Sequence, residues 1–215
     1  MKRKTFIALL ISLVSFVPQV MADDDDYRSD YVTIPVEGLA AFENIISNAS
    51  FDVDFRQSDK QSVEVYGDPN QVSNVNITVV GKTLYVGVKE NARVSHVRVN
   101  ITAPDLACVI VNGSGDVDVK SLHTTRFTAT VTGTGDIELT GDCDEAEYTI
   151  NGRGDIDAED FRVENLTATV NDSGSVECRC TDTLTANVVG SGSVEFHGQP
   201  RNVYRSGRKA AIRHD

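Results

Sequence analysis

A nine-residue segment occurs five times in the second half of the chain, and four of the copies contain two glycines. The first copy reads Val-Asn-Gly-Ser-Gly-Asp-Val-Asp-Val and begins at Val111. Its first glycine, or Asp172 in its place, stands at positions 113, 133, 152, 172 and 190, so the steps are 20, 19, 20 and 18 residues. One unit of this length cannot bury its own apolar face, so the repeat predicts a stack of similar copies.

Apolar and polar residues alternate within every copy. Counted from the first glycine, positions −6, −4, −2, +4 and +6 are apolar in all five copies, whereas most odd positions are polar. A period of two predicts strands whose even positions face a core. The +4 column is Val117, Ile137, Ile156, Val176 and Val194, and the −6 column is Ala107, Phe127, Ala146, Leu166 and Leu184. The Gly-x-Gly between the apolar runs predicts a corner, where glycine permits positive φ and close approach of backbones.

Stacked copies in one orientation place equivalent strands in parallel, about 4.8 Å apart. The predicted fold class is therefore all-β, a single-domain parallel β-helix or solenoid, right-handed by the rule for parallel crossovers. The alternative is a β-sandwich whose hairpins share a length, and five copies in phase argue against it.

The repeats span residues 107–198, and the segments on either side of them lack the repeated motif. Residues 30–106 predict irregular N-terminal coils with a hairpin at Gly81-Lys82-Thr83 and a turn at Asp68-Pro69-Asn70. Residues 199–215 carry a net charge of +4 and predict a basic C-terminal cap, with a basic docking tail as the alternative. No linker-like stretch divides residues 23–215, which are expected to form one domain.

Residues 1–22 have the pattern of a secretory signal peptide. Lys2-Arg3-Lys4 precedes an apolar run over residues 6–17, and Val20-Met21-Ala22 offers small residues for cleavage. The alternative, an uncleaved membrane anchor, is disfavoured because the run is short. We therefore expect export to the periplasm, the outer-membrane surface or the extracellular space, with no transmembrane segment in the mature chain.

The net charge of the mature chain indicates which classes of partner it can bind. Removing residues 1–22 leaves 193 residues with 17 basic and 32 acidic side chains, a net charge of −15. This charge disfavours nucleic acid and anionic membranes, and favours solubility, a cationic partner or a metal ion. No cofactor is expected.

The acidic residues of the repeat are the candidate site. Positions +3 and +5 point outward and form a ladder of carboxylates one coil apart. A solubilising face is the favoured interpretation, and cation binding is the alternative, although the nine-residue calcium repeat is missing. The candidate cation ligands are Asp116, Asp118, Asp136, Glu138, Asp155 and Asp157.

Acid pairs on a β-helix also fit a carbohydrate-active enzyme, either a polysaccharide lyase or a hydrolase. Such enzymes need unequal groups in a cleft, whereas these acids repeat identically, so we expect no enzyme and assign no catalytic residue. His96, His123, His197 and His214 share no spacing with a nucleophile or a metal motif. Arg153-Gly154-Asp155 matches an integrin-type tripeptide but occupies a repeat corner, and we interpret it as coincidence.

The four cysteines are predicted to be mostly reduced, buried thiols. Export permits disulfides, and the even count allows pairing. Cys178, however, falls in the inward +6 column, and Cys180 lies two residues along the same strand, too far for a comfortable bridge.

An ordered set of segments leads into the repeats: Phe42-Glu43-Asn44-Ile45, Phe51-Asp52-Val53, Val63-Glu64-Val65, Thr83-Leu84-Tyr85-Val86 and Ala103-Pro104-Asp105-Leu106. Over roughly residues 40–210 the chain resembles the head GIN family of autotransporter adhesins, domains of unknown function common in Bacteroidetes. The resemblance implies an envelope-exposed β-helix, with adhesion suggested by analogy of shape rather than by a defined site, and it supplies no catalytic residues. We interpret the chain as a non-enzymatic, adhesin-like surface that binds a glycan or a protein. The ligand and the oligomeric state stay open.

Overall fold

The computed structural model describes residues 31–215, in which fifteen strands form one hydrogen-bonded sheet that winds into a stack of coils. The signal-peptide prediction lies outside the described residues. The strands are β1 (Val32–Pro35), β2 (Asn44–Ser47), β3 (Asp52–Gln57), β4 (Ser62–Gly67), β5 (Val75–Val80), β6 (Thr83–Val88), β7 (Val97–Ala103), β8 (Cys108–Val111), β9 (Val117–Val131), β10 (Ile137–Ile150), β11 (Ile156–Val170), β12 (Ser175–Val188), β13 (Ser193–His197), β14 (Asn202–Gly207) and β15 (Ile212–His214).

The repeats form a β-solenoid of about five turns, which confirms the predicted fold class. Each of β9 to β12 runs from one glycine corner to the next and pairs in parallel with the equivalent strand of the neighbouring coil. The +4 column is in register throughout: Ile137 pairs with Val117 and Ile156, and Val176 pairs with Ile156 and Val194. All five side chains are fully buried, so the alternation did identify the core face.

The corner glycines serve close packing rather than unusual backbone conformation. None of the repeat-corner glycines has a positive φ, so the expectation of positive φ at the corners is wrong. A Cβ added to Gly133 would instead collide with the carbonyl oxygen of Gly113 one coil below, and one added to Gly135 would lie 2.9 Å from the carbonyl carbon of Gly115. Side chains essentially never tolerate such contacts with backbone, so the second predicted reason is confirmed.

The first repeat enters the stack differently from the others. Ala107, predicted to face inward, is exposed, and Leu106 is buried in its place. The cause is local: β8 begins only at Cys108, so the strand alternation does not extend back to Ala107. Similarly, the predicted turn at Asp68-Pro69-Asn70 opens a short helix, α1 (Pro69–Val72), whose N-cap Asp68 accepts a 2.7 Å hydrogen bond from the Asn70 amide.

The N-terminal coils are not stacked in chain order. The coil made by β2 and β3 comes first in the sequence, yet it lies between the coil of β6 and β7 and that of β8 and β9. β4 and β5 then pair in antiparallel fashion with β7 and β6, and β1 pairs with β4. The β5–β6 hairpin was predicted, and these antiparallel strands cover the N-terminal end of the stack.

At the other end of the stack, a charged residue stands in a column that holds buried alanines, Ala186 and Ala168, in the two coils below. Arg205 in β14 pairs with Ala186, a buried residue of β12, and its guanidinium carbon lies 5.4 Å from the centre of the Phe196 ring. All six residues of β14 are exposed, and a 3₁₀ turn (Lys209–Ala211) leads into β15. An inward-pointing charge discourages a further coil from adding there.

The core is one hydrophobic cluster that extends from Phe42 to Ile212. Between residues 31 and 215, neither helical segment is long and apolar enough to cross a bilayer.

Candidate functional site

The acidic residues of the repeats lie together on one side of the stack, as the spacing predicted. Glu138 pairs with Asp118 in the coil below and with Asp157 in the coil above, and Asp157 pairs in turn with Glu177. The six predicted residues and Glu177 line a shallow groove that is open to solvent. We call this groove, lined by Asp116, Asp118, Asp136, Glu138, Asp155, Asp157 and Glu177, the acidic side.

The +3 aspartates of the acidic side hold successive coils together. Oδ1 of Asp116 accepts a 2.8 Å hydrogen bond from the backbone amide of Asp136, and Oδ1 of Asp136 accepts one of 2.7 Å from the amide of Asp155. Oδ1 of Asp155 accepts the amide of Ser175 at 2.6 Å. Each carboxylate therefore satisfies a backbone donor at a corner, where the ladder of strand hydrogen bonds is interrupted. This structural role was not foreseen from the sequence.

The hydrogen bond that Asp155 accepts also concerns the integrin-type tripeptide Arg153-Gly154-Asp155. Gly154 is buried in the corner, and the Asp155 carboxylate is committed to the Ser175 amide. Both observations support the interpretation of coincidence.

Charges at the N-terminal end of the +5 column are balanced by basic side chains. Nζ of Lys120 lies 3.0 Å from Asp54 and 3.3 Å from Asp118, and Arg98 contacts Asp54 at 3.1 Å. Burial, followed by a hydrogen bond with Asp54, raises the pKa of Asp118. The hydrogen bond with Asp54 is the main cause of the raised pKa of Lys120.

The middle of the acidic side is not balanced in this way. Glu138 and Asp157 are exposed and form no ion pair with any residue between 31 and 215. At the C-terminal end, Glu177 contacts His197 at 2.9 Å and Glu195 contacts Arg213 at 3.5 Å. Within the +5 column, the unpaired charges therefore lie on the central coils, where they face water.

Calcium binding on the acidic side remains a prediction with little geometric support. Ca²⁺ takes six to eight oxygen ligands, often including backbone carbonyls, from an enclosing loop. Here one oxygen of each +3 aspartate already accepts a backbone amide, and the groove is open. The arrangement supplies a periodic anionic surface more readily than a closed cation cage.

A second cluster of ionisable residues was missed at the sequence level. Glu159, Glu177 and His197 come from three successive coils, and one ligand atom of each lies within 4.8 Å of the others. A bulge in β11 brings Glu159 there: the pairing between β11 and β12 passes from Ala158 directly to Arg162. No spacing rule marks such a bulge, so the sequence offered no signal for the cluster.

The cysteines are free thiols, three of them buried and Cys108 half-buried. Burial raises the pKa of the Cys143 thiol to about 11 and raises that of Cys178 still further. These thiols therefore remain protonated and unreactive at neutral pH. Their place in the core agrees with the predicted packing role.

Comparison with known proteins relates this architecture to a family. The profile of the family described as "Putative auto-transporter adhesin, head GIN domain" matches residues 41–200, a span that holds both the non-sequential coils and all five corners. The chain belongs to this family. No curated protein matches it in sequence.

Crystal structures share the fold of this head GIN domain at low sequence identity. A putative adhesin from Bacteroides fragilis superposes with a TM-score of 0.68 at 22% identity, covering 86% of this chain and 96% of its own. A putative lipid binding protein from Parabacteroides distasonis has a TM-score of 0.56 at 20% identity, covering 86% and 97%. A putative adhesin from Parabacteroides merdae has a TM-score of 0.51 at 20% identity, covering 86% and 96%. At such identities the likeness concerns the fold alone.

Proposed function

We propose that this head GIN protein is an exported, non-enzymatic module of the cell envelope that binds a glycan or a protein on a surface. The adhesin description of its family supports the proposal. So does the N-terminal pattern of residues 1–22, which is typical of a signal peptide.

The observation that carries the proposal is the combination of a solid interior with a periodic exterior. The inward columns are filled by aliphatic and aromatic side chains, so the coils enclose core rather than a binding chamber. Outward side chains repeat once per coil, as Glu138, Asp157 and Glu177 do. A surface that repeats chemically along its length is suited to an extended ligand, and a polysaccharide or a long protein segment has that form.

The chemistry of the acidic side argues against catalysis. A glycosidase needs two carboxylates in unequal environments, one holding a proton and one ionised. The three +3 aspartates instead share one role as acceptors of backbone amides. The pKa of Asp118 is raised mainly by burial, and Lys120 is hydrogen-bonded to this carboxylate.

The test is an array of glycans and matrix proteins probed with a protein comprising residues 23–215. We expect binding to a restricted set of ligands, with no release of sugar ends or unsaturated products. No binding above background across the array would overturn the proposal, and turnover of an arrayed polysaccharide would favour the carbohydrate-active alternative.

Two matched double variants locate the binding side. Glu138→Gln with Asp157→Asn removes two exposed charges from the acidic side, whereas Glu147→Gln with Glu164→Gln removes two exposed charges elsewhere. Since all four are exposed, both variants should fold. Loss of binding in the first variant alone would assign the ligand to the acidic side, and loss in neither would direct the search to another side of the stack.

A further inference from the structure

The cluster of Glu159, Glu177 and His197 differs from the rest of the acidic surface because it includes an imidazole. Nε2 of His197 lies 2.9 Å from Oε1 of Glu177, and the histidine side chain is only 13% exposed. Glu159 is exposed, so the cluster is anchored on one side and open to solvent on the other. This arrangement would leave positions for water or an external ligand on a bound ion.

The second nitrogen of the His197 ring also faces a carboxylate. Nδ1 lies 3.6 Å from Oδ2 of Asp215, at the end of the chain that follows β15. Histidines that bind metals through one nitrogen almost always direct the other to a carboxylate, a backbone carbonyl or a water. Asp215 lies on that side of the ring but beyond hydrogen-bond distance, so it would have to move closer to orient the imidazole of a metal-bound His197.

Arg179 is the competing cation near the cluster. Its NH2 lies 3.7 Å from Oε1 of Glu159, which is long for an ion pair between exposed groups and worth little energetically. Its Nε donates a 2.8 Å hydrogen bond to the backbone carbonyl of Glu159, so the guanidinium is held by the backbone. The Glu159 carboxylate can turn to a metal ion without the loss of that bond.

We propose that Glu159, Glu177 and His197 bind a divalent transition-metal ion of the Zn²⁺ class. One imidazole nitrogen and two carboxylate oxygens suit Zn²⁺ and its neighbours, whereas Ca²⁺ and Mg²⁺ prefer all-oxygen sites. Each ligand comes from a different coil, so the ion joins three consecutive coils near the C-terminal end of the stack. This site shares Glu177 with the acidic side but uses none of the six predicted calcium ligands.

The direct test is calorimetric titration of chelator-stripped protein, residues 23–215, with ZnCl₂. We expect one site, and His197→Gln should weaken it by more than about 100-fold, because loss of a ligand should exceed the 10–100-fold cost of an outer-shell change. Asp215→Asn should weaken it by about tenfold. CaCl₂ in excess should not compete.

The matched control is His123→Gln. His123 also pairs with a carboxylate, at 2.6 Å between Nδ1 and Oδ2 of Asp142, but it lies outside the three-residue cluster. Its loss should leave zinc affinity unchanged. Glu159→Gln provides an independent ligand variant at an exposed position, so a folding defect in His197→Gln would not prevent a decision.

Nuclear magnetic resonance of the imidazole nitrogens identifies the ligand atom. Zn²⁺ should shift the Nε2 signal of His197 and leave that of His123 in place. Absence of zinc binding, equal affinity in His197→Gln, or shifts confined to His123 or His214 would each overturn the proposal.

Discussion

If the corner glycines are required for close packing of the coils, substitution by alanine should have opposite effects on stability at Gly135 and at Gly87. At Gly135 the three atoms nearest to an added Cβ all belong to the backbone of the coil below, the nearest being the carbonyl oxygen of Gly115. At Gly87 the nearest atom to an added Cβ is 3.8 Å away and φ is not positive, so alanine fits without strain.

The magnitudes follow from these contacts. Overpacking a well-packed site costs about 1–3 kcal/mol, and coils forced apart at this corner also weaken the bond from the Asp136 amide to Asp116, worth about 1 kcal/mol. Gly135→Ala should therefore lower the free energy of unfolding by about 2–4 kcal/mol. Gly87→Ala should raise it by about 0.4–1 kcal/mol, because alanine reduces the entropy of the unfolded chain.

Thermal unfolding followed by circular dichroism measures the difference. For a chain of this size 1 kcal/mol corresponds to roughly 2–4 °C, so Gly135→Ala should melt roughly 5–15 °C below the wild type. Gly87→Ala should melt at or slightly above it. A neutral Gly135→Ala, or two variants shifted equally, would refute the close-packing explanation.

Three further predictions concern charge and thiols. Adding Ca²⁺ to metal-free protein should change the melting temperature no more than NaCl of equal ionic strength, and a calcium-specific rise of several degrees would make the acidic side a calcium site. Asp136→Ala should cost about 1–2 kcal/mol in urea unfolding through the lost amide bond, whereas Glu138→Ala, at an exposed position of the same coil, should stay within about 0.5 kcal/mol, and equal costs would contradict the structural role of the +3 column. The Cys143 thiol has an ordinary pKa of 9.0 in the unfolded chain, and burial raises it to about 11 in the folded protein. The free energy of unfolding should therefore fall as the pH rises through this window. A Cys143→Ala variant with the same pH dependence would exclude this thiol as the cause.

The repeats could be predicted from the sequence because one constraint recurs in every coil. Ile137 and Ile156 must both face the core for the strands to pair in register, and a period of two reports that requirement directly. Where the constraint is absent, prediction failed or was not possible. Ala107 precedes its strand, and Glu159 stands in a bulge, so in neither case does alternation report the direction of the side chain.

The order of the N-terminal coils was not predictable for a related reason. β2 and β3 lack the Gly-x-Gly motif, so nothing in their sequence states which strands lie beside them. Their position between β6–β7 and β8–β9 depends on the tertiary packing of whole coils rather than on a local motif. The same holds for the metal-ligand cluster, whose members meet only through the register of three coils.

The inserted position of the β2–β3 coil divides the protein into regions of unequal modularity. In the repeat region, neighbours in space are neighbours in the chain, so a coil can be gained or lost by a simple duplication or deletion of about twenty residues. Between residues 44 and 131 that freedom is lost, because removing the β2–β3 coil would leave the coils on both sides of it without their hydrogen-bonded neighbour. Length variation among proteins with this architecture should therefore accumulate among the glycine-cornered coils, while the N-terminal block is inherited whole.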